Sequence, residues 1–326
     1  MTTPMAVPDA VDHLRRSAQG CLCCGAKELR RETQIVSGFL AARAWGGPPQ
    51  TTELLTCPAC GLRFFERGLS DEETARYYRG YRDADYVRAR WRWEPFYTRG
   101  QHRALLAWTH SPLRTEAVRA ALALSGAPAY YASALDHGGD QGQMLAAVEA
   151  ERKAVYEPSA CATAPGIARY DDAASLPGGW NLILSCQVLE HVSSPAAYLR
   201  DITALLDDSG WLYIEVPHEH WRPAPGGETL RAAWLKALLR WRPLLMAADV
   251  LCTACRIKLG CLPPFGFVAM REHMNFFTPA SLRAILAGNG FAVDSCGINR
   301  AGQLFAVARK FATFDAGSDR TVTTIT

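Results

Sequence analysis

Ala129-Tyr-Tyr-Ala-Ser-Ala-Leu-Asp-His-Gly-Gly-Asp-Gln-Gly142 decides how this chain is read. A small-to-aromatic apolar run ends at Leu135 and breaks into an acid and three glycines. Gln143-Met-Leu-Ala-Ala-Val-Glu-Ala then follows, rich in helix formers. Strand, glycine turn and helix is how an α/β sheet offers bare backbone N–H groups and a helix N-terminus to a ligand. Glycine is needed where the chain turns sharply and a ligand approaches the backbone closely.

Two stretches further on support this reading. Glu157 closes the run Lys153-Ala-Val-Tyr, 21 positions after Asp136. An acid about 20 residues on, at the end of a second strand, is placed to bind ribose hydroxyls. Asn181-Leu-Ile-Leu-Ser-Cys-Gln-Val-Leu-Glu-His-Val192 then falls where a fourth strand and its exit loop belong. Strand candidates at 129–135, 153–157, 167–170, 181–186 and 211–216 alternate with helical segments, which predicts a mainly parallel sheet. Phe291-Ala-Val-Asp-Ser and Gln303-Leu-Phe-Ala-Val-Ala-Arg309 supply two more strands.

With Leu135-Asp136-His-Gly138-Gly-Asp-Gln-Gly142, Tyr156-Glu157-Pro158, Leu189-Glu190-His191-Val192 and Trp211-Leu-Tyr-Ile-Glu-Val-Pro217, the chain resembles the class I S-adenosylmethionine (SAM) methyltransferases over residues 129–310. The resemblance implies a Rossmann-like α/β domain with seven strands, the last antiparallel, and SAM as co-substrate. It places the cofactor on Asp136, Gly138, Gly139, Asp140, Gly142, Glu157 and Pro158, with Asp171 toward the adenine and Cys186 and Gln187 at its flank. Asp140 departs from the family pattern, which has glycine there. A carboxylate at that point can accept a hydrogen bond from the SAM ammonium, or it can mark a weakened cofactor site.

The chain has 326 residues, room for two domains, and a net charge of +3, too small for a global field toward nucleic acid. No basic region followed by an apolar core opens the sequence, and no uncharged run reaches spanning length, so a cytoplasmic protein is expected. Eleven cysteines without a secretory signal favour metal over disulfides.

Cys21-Leu-Cys-Cys24-Gly25 and, 33 positions after Cys24, Cys57-Pro-Ala-Cys60-Gly61 form two knuckles. A two-residue gap lets both sulfurs of a knuckle reach one tetrahedral ion, and the trailing glycine permits the tight turn. Cys21, Cys24, Cys57 and Cys60 are therefore the expected ligands of a structural Zn2+ in a small zinc ribbon over residues 19–68. Cys23 is a spare thiol.

Residues 69–128 read as a helical linker. Ser70-Asp-Glu-Glu73 is a capping box, and Tyr77, Tyr78, Tyr81, Tyr86, Trp91, Trp93, Phe96 and Tyr97 give it an aromatic face. These rings either pack the linker on the main domain or line its pocket. Residues 218–270 read as an insertion. Its segment 229–260 has six Lys/Arg and one acid, Asp249, among many apolar residues. Such helices suit a substrate lid, a homodimer face or peripheral contact with a membrane, in that order. Residues 1–18 and 311–326 read as flexible tails.

The two knuckles, the Tyr-Tyr helix and Glu272-His273-Met-Asn275-Phe-Phe277 resemble, more narrowly, the methyltransferases that act on sugars in antibiotic, O-antigen and capsule pathways. Their C-methylating members use a histidine after the fourth strand and a Glu-His pair to support deprotonation beside a keto group. That implies His191, Glu272 and His273 as catalytic residues and a saccharide, or a related natural-product intermediate, as acceptor. C- and O-methylation both stay open. Two other readings also stay open: a nucleic-acid methyltransferase that clamps with ribbon and basic helices, and a non-catalytic scaffold with a decayed SAM site.

Overall fold

The computed structural model describes Arg16 and residues 20–81, 83–159 and 162–311. Apart from Arg16 and Phe311, the expected tails lie outside these described residues.

The N-terminal part starts with strand β1 (Arg30–Val36), a one-turn helix α1 (Gly38–Leu40), β2 (Thr51–Thr56) and β3 (Arg63–Phe65). β1–β2 and β2–β3 pair antiparallel, and the two cysteine knuckles sit just before β1 and between β2 and β3. Helices α2 (Asp71–Tyr78), α3 (Ala84–Trp91), α4 (Arg99–Thr109) and α5 (Pro112–Leu124) follow. The expected capping box starts α2: Glu73 N donates to Ser70 Oγ at 3.1 Å, and Ser70 N donates to Glu73 Oε2 at 3.0 Å.

The second part contains β4 (Tyr130–His137), β5 (Glu149–Tyr156), β6 (Ala168–Tyr170), β7 (Trp180–Cys186), α6 (Pro195–Leu205) and β8 (Leu206–Pro217). Next come α7 (Glu228–Leu238), α8 (Arg242–Leu259), β9 (Ala269–Met270), β10 (Asn275–Phe276), α9 (Pro279–Ala287), β11 (Phe291–Ile298) and β12 (Gln303–Lys310). The strands form a seven-stranded sheet of order β11-β12-β8-β7-β4-β5-β6. It is parallel from β8 to β6, with β12 inserted antiparallel between β8 and β11. The α/β sheet expected from the sequence is therefore present, antiparallel last strand included.

One local expectation fails. No α-helix follows the glycine turn: Gln143–Ala147 makes a single 3-10 turn and β5 begins at Glu149. Glu149 already pairs with Tyr130 in the parallel register, so too few residues remain for a helix. Met144, Leu145 and Ala147 are all buried, which leaves no polar helical face. α5 takes over the cover: its Val118, Ala121 and Leu122 join Met144, Leu145 and Leu182 in one core.

The other face of the sheet packs α6, α9 and the cysteine module, since Leu55, Leu62 and Phe64 share a core with Ile183, Leu189, Ile202, Leu282 and Ile285. The N-terminal sheet does not close on itself. β9 adds parallel to β1 and β10 adds antiparallel to β3, giving the order β10-β3-β2-β1-β9. The 218–270 segment packs on this sheet: Trp221, Leu235, Leu238, Leu245 and Cys252 share a core with Ile35, Phe39, Phe65, Tyr77 and Tyr86. Among the described residues no helix is long and apolar enough to cross a membrane.

Candidate active site

The carboxyl ends of β4, β5, β6 and β7 lie side by side and carry every residue expected to meet the cofactor. Asp136 pairs in register with Val155 of β5 and Leu184 of β7, so the turn after β4 stands between the other strand ends. Gly138 has φ +75° and Gly142 has φ +77°, both in the left-handed region. Asp140 has φ +54°, a value that Asp tolerates better than most side chains, so the missing glycine costs the turn little. A Cβ on Gly139 would lie 2.1 Å from the Asp136 carboxyl carbon, and one on Gly138 would strike Val188 at 2.7 Å. Both positions need glycine for space.

Asp136 is fully buried, and its carboxyl has no more than a loose contact with the Met144 N–H. Burial pushes its pKa up to about 7. Glu157 closes the turn from the side, accepting from Asp140 N at 3.2 Å and from Ser159 N at 2.9 Å. A buried carboxylate under a bare glycine backbone, with a second carboxylate at the next strand end, fits SAM, which offers an ammonium and ribose hydroxyls. Pro158 and Asp171 stand exposed at the rim. The Cys186 thiol is buried and its pKa is raised by that burial, so it faces the core. The Gln187 amide is engaged with Glu215 Oε1 and Gln303 Oε1, both at 3.2 Å.

His191 and His273 come together, their ring centroids 4.9 Å apart. His191 Nδ1 lies 2.9 Å from the Glu272 carbonyl oxygen and 3.2 Å from the Tyr78 hydroxyl. A carbonyl only accepts, so Nδ1–H donates and Nε2 keeps its lone pair. Burial, and then the nearby His273, lower the His191 pKa to about 4, which keeps the ring neutral. His273 Nδ1 lies 2.8 Å from Glu219 Oε1, so Nδ1–H donates to that carboxylate, and Arg256 of α8 holds the other Glu219 oxygen. Glu190 sits beneath the two rings, 1 % exposed, and no side chain hydrogen-bonds to either of its oxygens. Burial pushes it up to about 7.

Glu272 points elsewhere. Its carboxylate accepts from Arg90 Nη2 and from the Tyr77 hydroxyl, each at 2.9 Å. Burial opposes its charge, but Arg90 and then His273 outweigh that and hold Glu272 well below the usual carboxylate range. Arg90 also binds Glu94, and Arg271 joins Glu94 to Asp249. This ionic network ties α3, α8 and the 271–273 segment together. The linker aromatics divide accordingly: Tyr77 and Tyr86 are core, whereas Tyr78 reaches His191.

Three groups here were given no role from sequence. Glu219 follows β8 by two residues, at the sheet's carboxyl edge, and that position was its one signal. Glu190 was visible in Leu189-Glu190-His191-Val192 without a function. Asn275 donates its side-chain amide to the carbonyls of Leu189 at 3.0 Å and Val192 at 2.9 Å, and so grips the loop bearing Glu190 and His191.

Cys21, Cys24, Cys57 and Cys60 bring their sulfurs within 4.8 Å of one another. Cys21–Cys60 and Cys24–Cys57 are 3.5 and 3.6 Å apart. A tetrahedral ion with Zn–S of about 2.3 Å asks for sulfurs about 3.8 Å apart, so the four thiols fit Zn2+. The hydrogen bond from Cys60 pulls Cys21 down to about 5, which already favours one thiolate. The Cys23 thiol is pushed up by burial and lies outside the cluster. A closed set of four sulfurs leaves no position for a substrate.

Several solved methyltransferase structures are similar to this chain. The 1,6-didemethyltoxoflavin-N1-methyltransferase of Burkholderia thailandensis has 17 % identity over 64 % of this chain and 83 % of its own, with a TM-score of 0.39. The magnesium protoporphyrin IX methyltransferase of Synechocystis PCC 6803 has 15 % identity over 65 % and 88 %, TM-score 0.38. An S-adenosylmethionine-dependent methyltransferase of Mesorhizobium loti has 16 % identity over 60 % and 98 %, TM-score 0.36. Likenesses this faint say nothing about substrate, and no curated protein matches the chain. A family described as a methyltransferase domain matches residues 108–295. That match takes in more than half of the chain and the whole parallel part of the sheet, so the chain belongs to this methyltransferase family and is an enzyme of that class.

Proposed function

We propose that this enzyme transfers a methyl group from SAM to an oxygen, or to a carbon beside a carbonyl, of a small-molecule acceptor, and that the acceptor is a sugar or a related intermediate. The observation that supports it best is the pair of imidazoles, His191 and His273, whose ring centroids lie 4.9 Å apart past the carboxyl end of β7. When bound, SAM supplies an electrophilic methyl group on a sulfonium. Methyl transfer is an in-line displacement that gains most of its rate from positioning, with a base needed only when the acceptor loses a proton.

In this reading the backbone of Gly138–Gly142 and the Asp136 carboxylate hold the amino-acid end of SAM, and Glu157 holds the ribose. His273 takes the acceptor proton at Nε2. Glu219 holds the ring in the right tautomer and stabilises the imidazolium that forms, as a carboxylate does for a catalytic histidine. His191 orients the acceptor through its own Nε2. Glu272, locked by Arg90, acts as a positioning residue for this pair. Zn2+ on the four cysteines holds the module that carries β3. Zinc thiolates and unpaired cysteines suit a reducing compartment, so we place the reaction in the cytoplasm.

The test is a methyl-transfer assay with labelled SAM and a panel of nucleotide-linked keto and hydroxy sugars. Transfer to a member of the panel, lowered at least a hundredfold by His273→Ala with little change in SAM affinity, supports the reading. Transfer to RNA or DNA but to no sugar overturns it.

A further inference from the structure

Glu190, His191 and His273 converge beneath the proposed acceptor site. His191 spends its Nδ1–H on the Glu272 carbonyl and keeps a lone pair on Nε2, and His273 turns Nδ1 to the Glu219 carboxylate, which leaves its Nε2 for another partner. Glu190 is buried, and no side chain hydrogen-bonds to either of its oxygens. Its Oε1 approaches His191 Nε2 only to 3.6 Å, beyond a hydrogen bond of normal length. Ligand atoms of Glu190, His191 and His273 all lie within 4.8 Å of one another.

Such a cluster is costly as it stands. A buried carboxylate without an ionic partner is destabilising. A cation at the centre satisfies all three groups at once. The surroundings match that use: metal-bound histidines usually donate their other ring nitrogen to a carboxylate or a backbone carbonyl, and here one does each. Ligand distances of about 2.1 Å would bring the three donors to about 3–3.5 Å apart, a closure of up to about 1.5 Å from the 4.8 Å within which they now lie.

We propose that Glu190, His191 and His273 form a second metal site, distinct from the four-cysteine site, that takes a divalent cation on two imidazole nitrogens and one carboxylate. Three protein ligands leave positions open, as in catalytic rather than structural sites. Two imidazoles with one carboxylate suit Mn2+, Fe2+, Co2+ or Zn2+ and disfavour the all-oxygen preferences of Ca2+ and Mg2+. The consequence for catalysis rests on the proposed function. An acceptor with two neighbouring oxygens would chelate the open positions. Its hydroxyl would then lose its proton to solvent water under the cation's charge instead of to His273, which makes transfer metal-dependent.

The test uses the full chain with its cysteines saturated with zinc and MnCl2 alone as probe. Mn2+ prefers nitrogen and oxygen to thiolate, so the zinc site does not compete for it. Free Mn2+ is counted from its electron paramagnetic resonance signal. One Mn2+ per chain is expected, with binding weakened at least tenfold by Glu190→Gln and by His273→Ala while zinc content stays at one per chain. Glu190→Gln keeps the side chain's shape, so its folding is secure even if the histidine variant is unstable. No uptake of Mn2+ up to millimolar concentration, with none of Co2+ either, overturns the site, as does equal uptake by both variants. SAM binding measured on the same samples separates the two claims: SAM bound without Mn2+ uptake removes the cation site and leaves the methyltransferase reading intact, and Mn2+ uptake without SAM binding does the reverse.

Discussion

The side-chain amide of Asn275 lies 3.0 Å from the carbonyl oxygen of Leu189, so a strand of the N-terminal sheet holds the loop that carries Glu190 and His191. Asn275 sits on β10, β10 pairs with β3, and β3 follows the Cys57–Cys60 knuckle. The backbone N–H groups of Met274 and Asn275 add hydrogen bonds to the Glu190 carbonyl at 2.8 and 3.1 Å. Asn275→Ala removes only the side-chain part. It should destabilise the protein by about 1–3 kcal/mol, since buried carbonyls lose their donor. Turnover should fall more than SAM affinity, because the loop and not the glycine turn is released. Denaturation and steady-state kinetics on the variant check both.

The same chain of contacts would make a zinc ion on the four cysteines a remote support of the site. Thr278 Oγ1, at the start of α9, donates to the Cys60 carbonyl at 2.7 Å. Stripping zinc with a strong chelator should lower the melting temperature and abolish methyl transfer while leaving part of the SAM affinity, since the glycine turn is anchored by the other sheet. Structural zinc sites contribute directly to folding. Melting curves and SAM titration before and after removal, with zinc restored as control, measure it.

Arg90 faces Glu94 at 2.7 Å and Glu272 at 2.9 Å within a nearly dry network. Arg90→Met leaves Glu272 unpaired, with Arg271 alone to balance Glu94 and Asp249. The expected cost is about 3–5 kcal/mol, the penalty of breaking one side of a buried ion pair. A variant as stable as the wild type in urea denaturation would show that the network is solvated.

How much of this was readable in advance depended on sequence distance. The paired cysteines, the capping box at Ser70 and the strand–turn alternation from Ala129 onward are local patterns, and each was legible. The 3-10 turn at Gln143–Ala147 was not, because propensity favours a helix there and only the register of Glu149 against Tyr130 forbids it. Glu219 and His273 are 54 positions apart, and Asn275 and Leu189 are 86 apart. Nothing in a single sequence pairs residues at that range. Nor does it show that β9 and β10 complete the N-terminal sheet, since each is two residues long.

Asp136 gives a pH signature for the cofactor-free protein. Burial raises its pKa from 3.8 to about 7. Below about pH 4 the group is protonated both folded and unfolded, and the folded state keeps its full stability. As pH rises, the unfolded chain ionises first, so this contribution is lost progressively up to the folded value near 7. The loss amounts to at most about 4 kcal/mol by linkage. Asp136→Asn should be free of it: between pH 4 and pH 8 the wild type should lose a few kcal/mol, about 2–4, more than the variant. Denaturant unfolding at the two pH values measures the difference, and parallel pH profiles would place Asp136 in contact with water.

The central claim is that the turn from Asp136 to Gly142, closed by Glu157, is a working SAM site despite the aspartate at position 140. Calorimetric titration of the zinc-loaded protein with SAM and with its demethylated product, beside the Glu157→Ala variant, tests it most directly. The account predicts micromolar binding of both compounds to the wild type, weakened at least tenfold in the variant because the ribose loses its carboxylate. No binding of either compound, or binding that Glu157→Ala leaves unchanged, would contradict it.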